Sequence, residues 1–451
     1  MKKDDQQNCP NSKSKETFNM NNYSNLCKYL KQELVIFLEK ILPKNTKRPV
    51  KKFVYDMTYG ILKTGSTVIS DIARKLEKDN KLIHIEKRLT DNLTNISFDA
   101  ISKNLIKYNI ENLCKTPLCI NIDESDIIKP YGFKFEDLGY VHDGSKEGRP
   151  KEKGYSVTGI VGIGKYDTVI PLITDIYSTY SQEFTSTTMR TLNHIHTIED
   201  MSKEKFTAVF DRGYDGSILM NELNKTGIKY VIRAKSQRIY TFKRSKANID
   251  TICNKVKGKY SSYFENKKGN KILQKFTPLL PKHDDINHKF WLVFESVNSD
   301  NDNRVYITNI DCSTKEACIN VLKAYRMRWR IEEYFRFIKG EYSFEKFKVR
   351  NLKAINNLST LIMIATSFIT YLVINKNKVY HACLDTYSAF VKNKQDKKII
   401  EQYGQNGLML YRVKRGIQTI LEHSNSVPVV PGRDQSKPKT NQMSLFDMNL
   451  K

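Results

Sequence analysis

Residues 325–339 read Tyr-Arg-Met-Arg-Trp-Arg-Ile-Glu-Glu-Tyr-Phe-Arg-Phe-Ile-Lys, with neither Gly nor Pro to interrupt them. The preceding Ser313-Thr-Lys-Glu is a capping-box pattern, so the spacing predicts one helix. At about 100° per residue, Tyr325, Arg328, Glu332 and Lys339 fall at roughly 0°, 300°, 340° and 320°. Glu333 falls at about 80°, off that stripe. The stripe sets one carboxylate among two cations and a phenol. A carboxylate can hold a divalent cation, and Arg, Lys and Tyr can grip the oxygens of a phosphate beside it. A solvated face laced with i,i+4 ion pairs would use the same residue types.

The spacing Tyr-x2-Arg-x3-Glu-x6-Lys resembles the YREK signature of bacterial insertion-sequence transposases with a DDE triad, and here it is complete: Tyr325, Arg328, Glu332, Lys339. The resemblance runs from roughly residue 50 to residue 375. It implies a first Asp at the end of a hydrophobic strand and a second after a later strand. Pro117-Leu-Cys-Ile-Asn-Ile-Asp123 and Phe206-Thr-Ala-Val-Phe-Asp211 offer them. Asp123, Asp211 and Glu332 are then the catalytic residues and the ligands of two divalent ions, Mg²⁺ or Mn²⁺, with Asp123 bridging both. Two such ions, about 3.5–4 Å apart, suit in-line phosphodiester cleavage. Hard carboxylates suit these ions, and the lack of a His/Cys cluster speaks against zinc. Glu124 and Asp126 compete with Asp123, and Asp215 with Asp211. Strand alternation, however, puts Glu124 on the face opposite Asp123. Arg328 and Lys339 would clamp phosphates near the cut, Tyr325 would hydrogen-bond one, and the resemblance assigns them the terminal 5′ phosphate.

Composition fits a polyanionic partner. The 451 residues carry 75 Lys+Arg against 49 Asp+Glu, a formal charge of +26, interleaved with 25 Tyr and 21 Phe. That mixture suits double-stranded DNA better than a membrane. Eight cysteines without a CxxC pair read as reduced thiols of a cytosol. Residues 358–374 are long and apolar enough to span a bilayer, but Ser and Thr recur in them, so a buried helix is expected and no membrane.

Taken in order, residues 1–20 read as a disordered tail and 21–112 as a helical DNA-binding domain. Within it, Ser66/Thr67, the Ile69/Ile72/Ala73/Leu76 stripe and a helix over 81–93 resemble a helix-turn-helix whose basic face includes Arg74 and Lys75. An ordinary helical bundle reads the same way. Residues 113–235 and 311–380 read as the two parts of an α/β, RNase H-like catalytic core: three consecutive strands, then alternating helices and strands. A β-rich insertion, 236–310, separates them. In the resembling family this insertion often supplies a Trp on which a flipped base stacks. Trp291, the only Trp there, is the candidate, with Tyr306 as rival and core packing as the plain alternative. Residues 381–423 read as a helical C-terminal region and 424–451 as a second disordered tail. Gln442, Leu445 and Phe446 in that tail resemble the peptide that docks bacterial proteins on the replication sliding clamp.

The function implied is DNA transposition. Terminal inverted repeats are bound, their ends are cleaved, and the 3′-OH ends are joined to target DNA by a dimer assembled on DNA, in the bacterial cytoplasm at the nucleoid. The rivals are a stand-alone nuclease of the same fold and a DNA-binding protein with a vestigial triad.

Overall fold

The structure, a computed structural model, describes residues 20–423 apart from 77–80, 145, 149, 243, 254–255, 257, 266–269, 297–303 and 391–393. Residues 1–19 of the first expected tail and all of the second, with Gln442, Leu445 and Phe446, lie outside the described residues, while Met20 begins the first helix.

Five helices come first: α1 (Met20–Ile41), α2 (Arg48–Thr64), α3 (Ile69–Ala73), α4 (Leu82–Asn95) and α5 (Asp99–Tyr108). Pro at the start of α2 and Gly65 just past its end, left-handed at φ 62°, set its limits, the usual asymmetry of helix ends. The helix-turn-helix expectation meets a first helix of one turn. Ser66 accepts from the Val68 amide and donates to Asp71, while Thr67 donates to the Ser343 carbonyl. Arg74 and Lys75 are exposed, Arg74 pairing with Asp71 at 3.0 Å. Lys52 and Arg88, two further cations of this helical region, converge on buried Asp56.

The core strands are β1 (Cys119–Ile128), β2 (Gly139–His142), β3 (Lys151–Ile163), β4 (Val169–Tyr177), β5 (Thr207–Phe210) and β6 (Lys229–Arg233), with α6 (Thr187–Met201) and α7 (Ser217–Lys225) between them. β4-β3-β1 are antiparallel, and β1-β5-β6 are parallel. Three antiparallel strands followed by two parallel ones is the RNase H-like order expected from the sequence. β1 differs in length: it does not end at Asp123 but runs five residues further. Then come β7 (Ile239–Phe242), β8 (Ser245–Asn248), α8 (Ile249–Cys253), β9 (Tyr260–Glu265), β10 (Lys271–Leu279), β11 (Trp291–Ser296) and β12 (Arg304–Thr308). β12 pairs with β6, so the insertion lengthens the core sheet, whose order is β2-β3-β1-β5-β6-β12-β11-β10-β9 with β4 also on β3. Among the described residues, only β7 and β8 stand apart as a hairpin.

The signature stretch forms two helices, α9 (Lys315–Met327) and α10 (Trp329–Glu341), broken only at Arg328. Thr314 caps α9, accepting from the Ala317 amide; the N-cap is therefore one residue later than Ser313, and with Ala317 three residues on it is a simple cap and not a capping box. At the junction the Arg328 amide reaches the Tyr325 carbonyl and the Ile331 amide the Arg328 carbonyl, a tightening to i→i+3 bonds that leaves the chain helical.

α11 (Leu352–Asn375), α12 (Lys378–Phe390) and α13 (Lys394–His423) complete the described chain. α11 is long and apolar enough to cross a bilayer, but its apolar window is 94% buried inside the protein, and it packs on β4. Its polar side chains explain its place. Ser359 donates to the Thr174 carbonyl, Thr370 to the Val169 carbonyl, and Asn357 to the carbonyls of Leu93 and Ile96. Buried polar groups thus find partners only in this packing. Cys27, Cys114, Cys119, Cys312, Cys318 and Cys383 are free thiols.

Candidate active site

Sheet register brings the two aspartates together. β1 and β5 run parallel with Ile122 opposite Phe210, so Asp123 and Asp211 follow in the next row as neighbours on adjacent strands. β6 continues that row through Arg233, and β12 through Tyr306. Alternation puts all four side chains on one face, the face covered by α9 and α10.

α9 and α10 are fastened along β1 in sequence. Asn121 donates to the Met327 carbonyl at 2.9 Å, Arg328 to Asp123 at 2.8 Å, and Lys339 to the Asp126 carbonyl at 2.7 Å. Gly159, directly opposite Asp123 on β3, permits this closeness. A Cβ there would lie 2.5 Å from Phe335 Cζ and 3.3 Å from Ile331 Cδ1. Gly159→Val is therefore expected to lift α10 off the sheet and destabilise the protein by about 1–3 kcal/mol. A thermal melt and a cleavage assay on the same preparation check it; unchanged values in both would show that the helix can shift freely.

Arg328 is the centre of the charge arrangement. It donates to Asp123 and to Glu332, and a second cation, Arg336, stands 3.5 Å from the other Glu332 oxygen. Burial pushes the Asp123 carboxyl up to about 7; Arg328 opposes this, and the charges of Asp211 and Glu332 push the same way. Asp123 therefore feels both Asp211 and Glu332, although the three come from elements far apart in sequence. Asp211 also caps the turn after it, accepting from the Gly213 amide at 2.7 Å. Among the described residues no three His, Cys, Asp or Glu side chains close to metal-ligand spacing; Asp123 and Glu332 are turned onto Arg328.

The competitors sort themselves out. Glu124 accepts from the hydroxyls of Thr158, Tyr214 and Tyr177 on the opposite face and has no place in the row. Asp215 is tied to Arg238 and accepts from the Lys235 amide at 2.7 Å. It lines an open cleft of about 470 Å³ with Arg212, Lys235 and Arg238.

Tyr325 and Lys339 lie at opposite ends of the fastening. Tyr325 rests on Tyr306, ring centroids 4.5 Å apart, and Lys339 also pairs with Glu345 at 2.9 Å. Tyr306 is buried, donates to Glu295 and is closed to a base. Trp291, the other stacking candidate, opens β11 half-buried, with Lys289 above its ring. In the sheet it is level with Val209, three strands across, roughly 14 Å from β5 at ~4.8 Å per strand. Sequence reasoning missed four residues: Arg233, Gly159 and the pair Glu295–Arg326. A strand-final Arg was the available signal for the first. Nothing local marked the others, whose partners are distant.

Residues 166–368, a little under half of the chain, match the model of the transposase DDE domain. The segment includes Asp211 and Glu332; Asp123 lies before it, so its place in the site rests on the strand register. No curated protein matches the chain. Among solved structures, a piggyBac transposase synaptic complex with hairpin DNA aligns over 92% of this chain and 84% of that one, with a TM-score of 0.42 and 10% identity. So distant a likeness adds nothing to the strand order. The match to the transposase DDE domain, on a sheet that sets Asp123 beside Asp211 and under the helix carrying Glu332, supports a DDE transposase.

Proposed function

We propose that the chain is a DNA transposase of the YREK-signature kind. It binds the terminal inverted repeats of an insertion sequence, cleaves the ends and joins the 3′-OH ends to target DNA. The observation that carries this reading is the row Asp123–Asp211 on the face that receives Glu332 from α10. The donor set fits Mg²⁺ or Mn²⁺: three carboxylates and no His or Cys. The upward push on Asp123 from Asp211 and Glu332 is the repulsion that a cation relieves. Asp123, Asp211 and Glu332 would hold two such ions, which neutralise phosphate charge and activate the attacking oxygen. Arg328, now spanning Asp123 and Glu332, exchanges these partners for a DNA phosphate and frees both carboxylates. Lys339 and Tyr325 hold the backbone on either side. Two ends must be paired, so a dimer on DNA belongs to the reading, as do the sliding-clamp peptide at Gln442, Leu445 and Phe446 and a place at the nucleoid of the bacterial cytoplasm.

The test is incubation of the full-length protein with Mg²⁺ and a labelled duplex carrying the inverted repeat that flanks its reading frame. Nicking at the end and joining of the 3′-OH to a second DNA are expected. Nicking without joining would make the protein a nuclease, and binding without nicking would make it a DNA-binding protein.

A further inference from the structure

Between β1 and β2 the chain makes a loop with two large aromatics in solvent: Tyr131 is 88% and Phe133 75% exposed. The loop is firmly held. Lys129 donates to the carbonyls of Glu345 and Phe347 and lies over the Phe347 ring. Phe135 packs on Phe347 and Tyr155. The Glu136 carboxylate accepts from Asn351 and from the Leu352 amide. These anchors tie the loop to the segment that follows α10, while Tyr131 and Phe133 stay in solvent.

Phe133, Lys153, Tyr140 and Tyr180 follow one another along the surface, and Tyr131 stands two residues before Phe133 in the same loop. Lys153 Nζ sits 4.1 Å from the Phe133 ring centroid. Lys153 pairs with Tyr140 across β2 and β3, and Tyr140, half-exposed, lies 6.0 Å from the Tyr180 ring, itself 64% exposed. Isolated exposed apolar residues are ordinary, but a contiguous group rimmed by a cation marks an interaction surface. Its position favours nucleic acid. Lys153 and Gly159 lie on the same face of β3, six residues apart, and Gly159 is opposite Asp123. The surface is therefore about 20 Å from the catalytic row at ~3.3 Å per residue, roughly six base steps of a DNA strand, with Lys339 between them.

We propose that Tyr131, Phe133 and Tyr140, with Lys153, form a stacking platform for unpaired bases of the DNA held on the catalytic face. Every base offers a π-face to such rings, and the lysine neutralises the backbone beside them. The inference rests on the DNA-binding reading and adds a single-stranded subsite to it.

The test compares the full-length protein on a blunt duplex and on the same duplex extended by an oligothymidine tail bearing one 2-aminopurine. Wild type is expected to bind the tailed duplex about tenfold more tightly and to quench the 2-aminopurine, the size of one stacked base. Tyr131→Ala/Phe133→Ala should lose both the preference and the quenching while binding the blunt duplex as wild type does. Tyr131→Trp/Phe133→Trp should restore them. Equal binding of the two DNAs by wild type, or a preference that survives the alanine pair, would overturn the platform. An alanine pair that turns a DNA-free dimer into a monomer and keeps the preference would assign the surface to a second copy instead. Failure to bind either DNA would sink the DNA reading itself, and the platform with it.

Discussion

Glu332→Gln is expected to bind the terminal duplex as tightly as wild type and to cleave it about a thousandfold more slowly or worse, the loss of several kcal/mol of charge stabilisation in the transition state. The swap keeps the size of the side chain and an oxygen facing Arg328, so the contact at the α9–α10 junction survives in neutral form. Arg328 also keeps Asp123 at 2.8 Å. The melting temperature should accordingly change little, since a part-exposed ion pair contributes about 1 kcal/mol or less. What is lost is the third negative charge near Asp123 and Asp211, which the fold assembles at the cost of their mutual repulsion. The measurement is single-turnover cleavage with Mg²⁺, alongside binding by gel shift. Cleavage within a few fold of wild type would remove Glu332 from the catalytic set.

Arg326→Ala is expected to cost more in stability than any other single change considered, about 3 kcal/mol, because it strands a buried carboxylate. Glu295 is 2% exposed and is held by two groups, the Tyr306 hydroxyl at 2.8 Å and the Arg326 guanidinium. Arg326 also donates to Gln274 and lies over the Phe264 ring at 3.7 Å. One side chain at the end of α9 therefore fastens three strands of the insertion to the helix that carries Tyr325 and leads into Arg328. Its loss frees the start of the signature as well as destabilising the sheet. Thermal or denaturant unfolding measures the effect. A second change, Glu295→Gln, removes the stranded charge, and the double variant should recover part of the loss. A double variant no more stable than Arg326→Ala would show that packing on Phe264, and not the buried charge, dominates.

Much of this protein was legible in its sequence, because the relevant signals are local. Apolar runs marked an α/β core with three consecutive strands followed by alternating helices and strands, and the absence of Gly and Pro marked 325–339 as helical. The choice of Asp123, Asp211 and Glu332 came from the resemblance to DDE transposases, not from periodicity. The apolar stretch in α11 was legible as a buried helix because its Ser and Thr residues need partners that a bilayer lacks. Tertiary structure alone decided the rest. The single row that joins Asp123, Asp211, Arg233 and Tyr306 depends on strand register across four strands, and no local period encodes register between segments so far apart. β1 continues beyond Asp123 because β3 offers it pairing partners as far as Gly154, a fact about another strand. The insertion joins the core sheet because the free edge of β6 accepts β12. Arg328 turns to Asp123 as well as to Glu332, and Arg326 to Glu295, because burial forces each charge to find an opposite one. Which opposite charge lies within reach is a property of the folded chain, not of the neighbourhood in sequence.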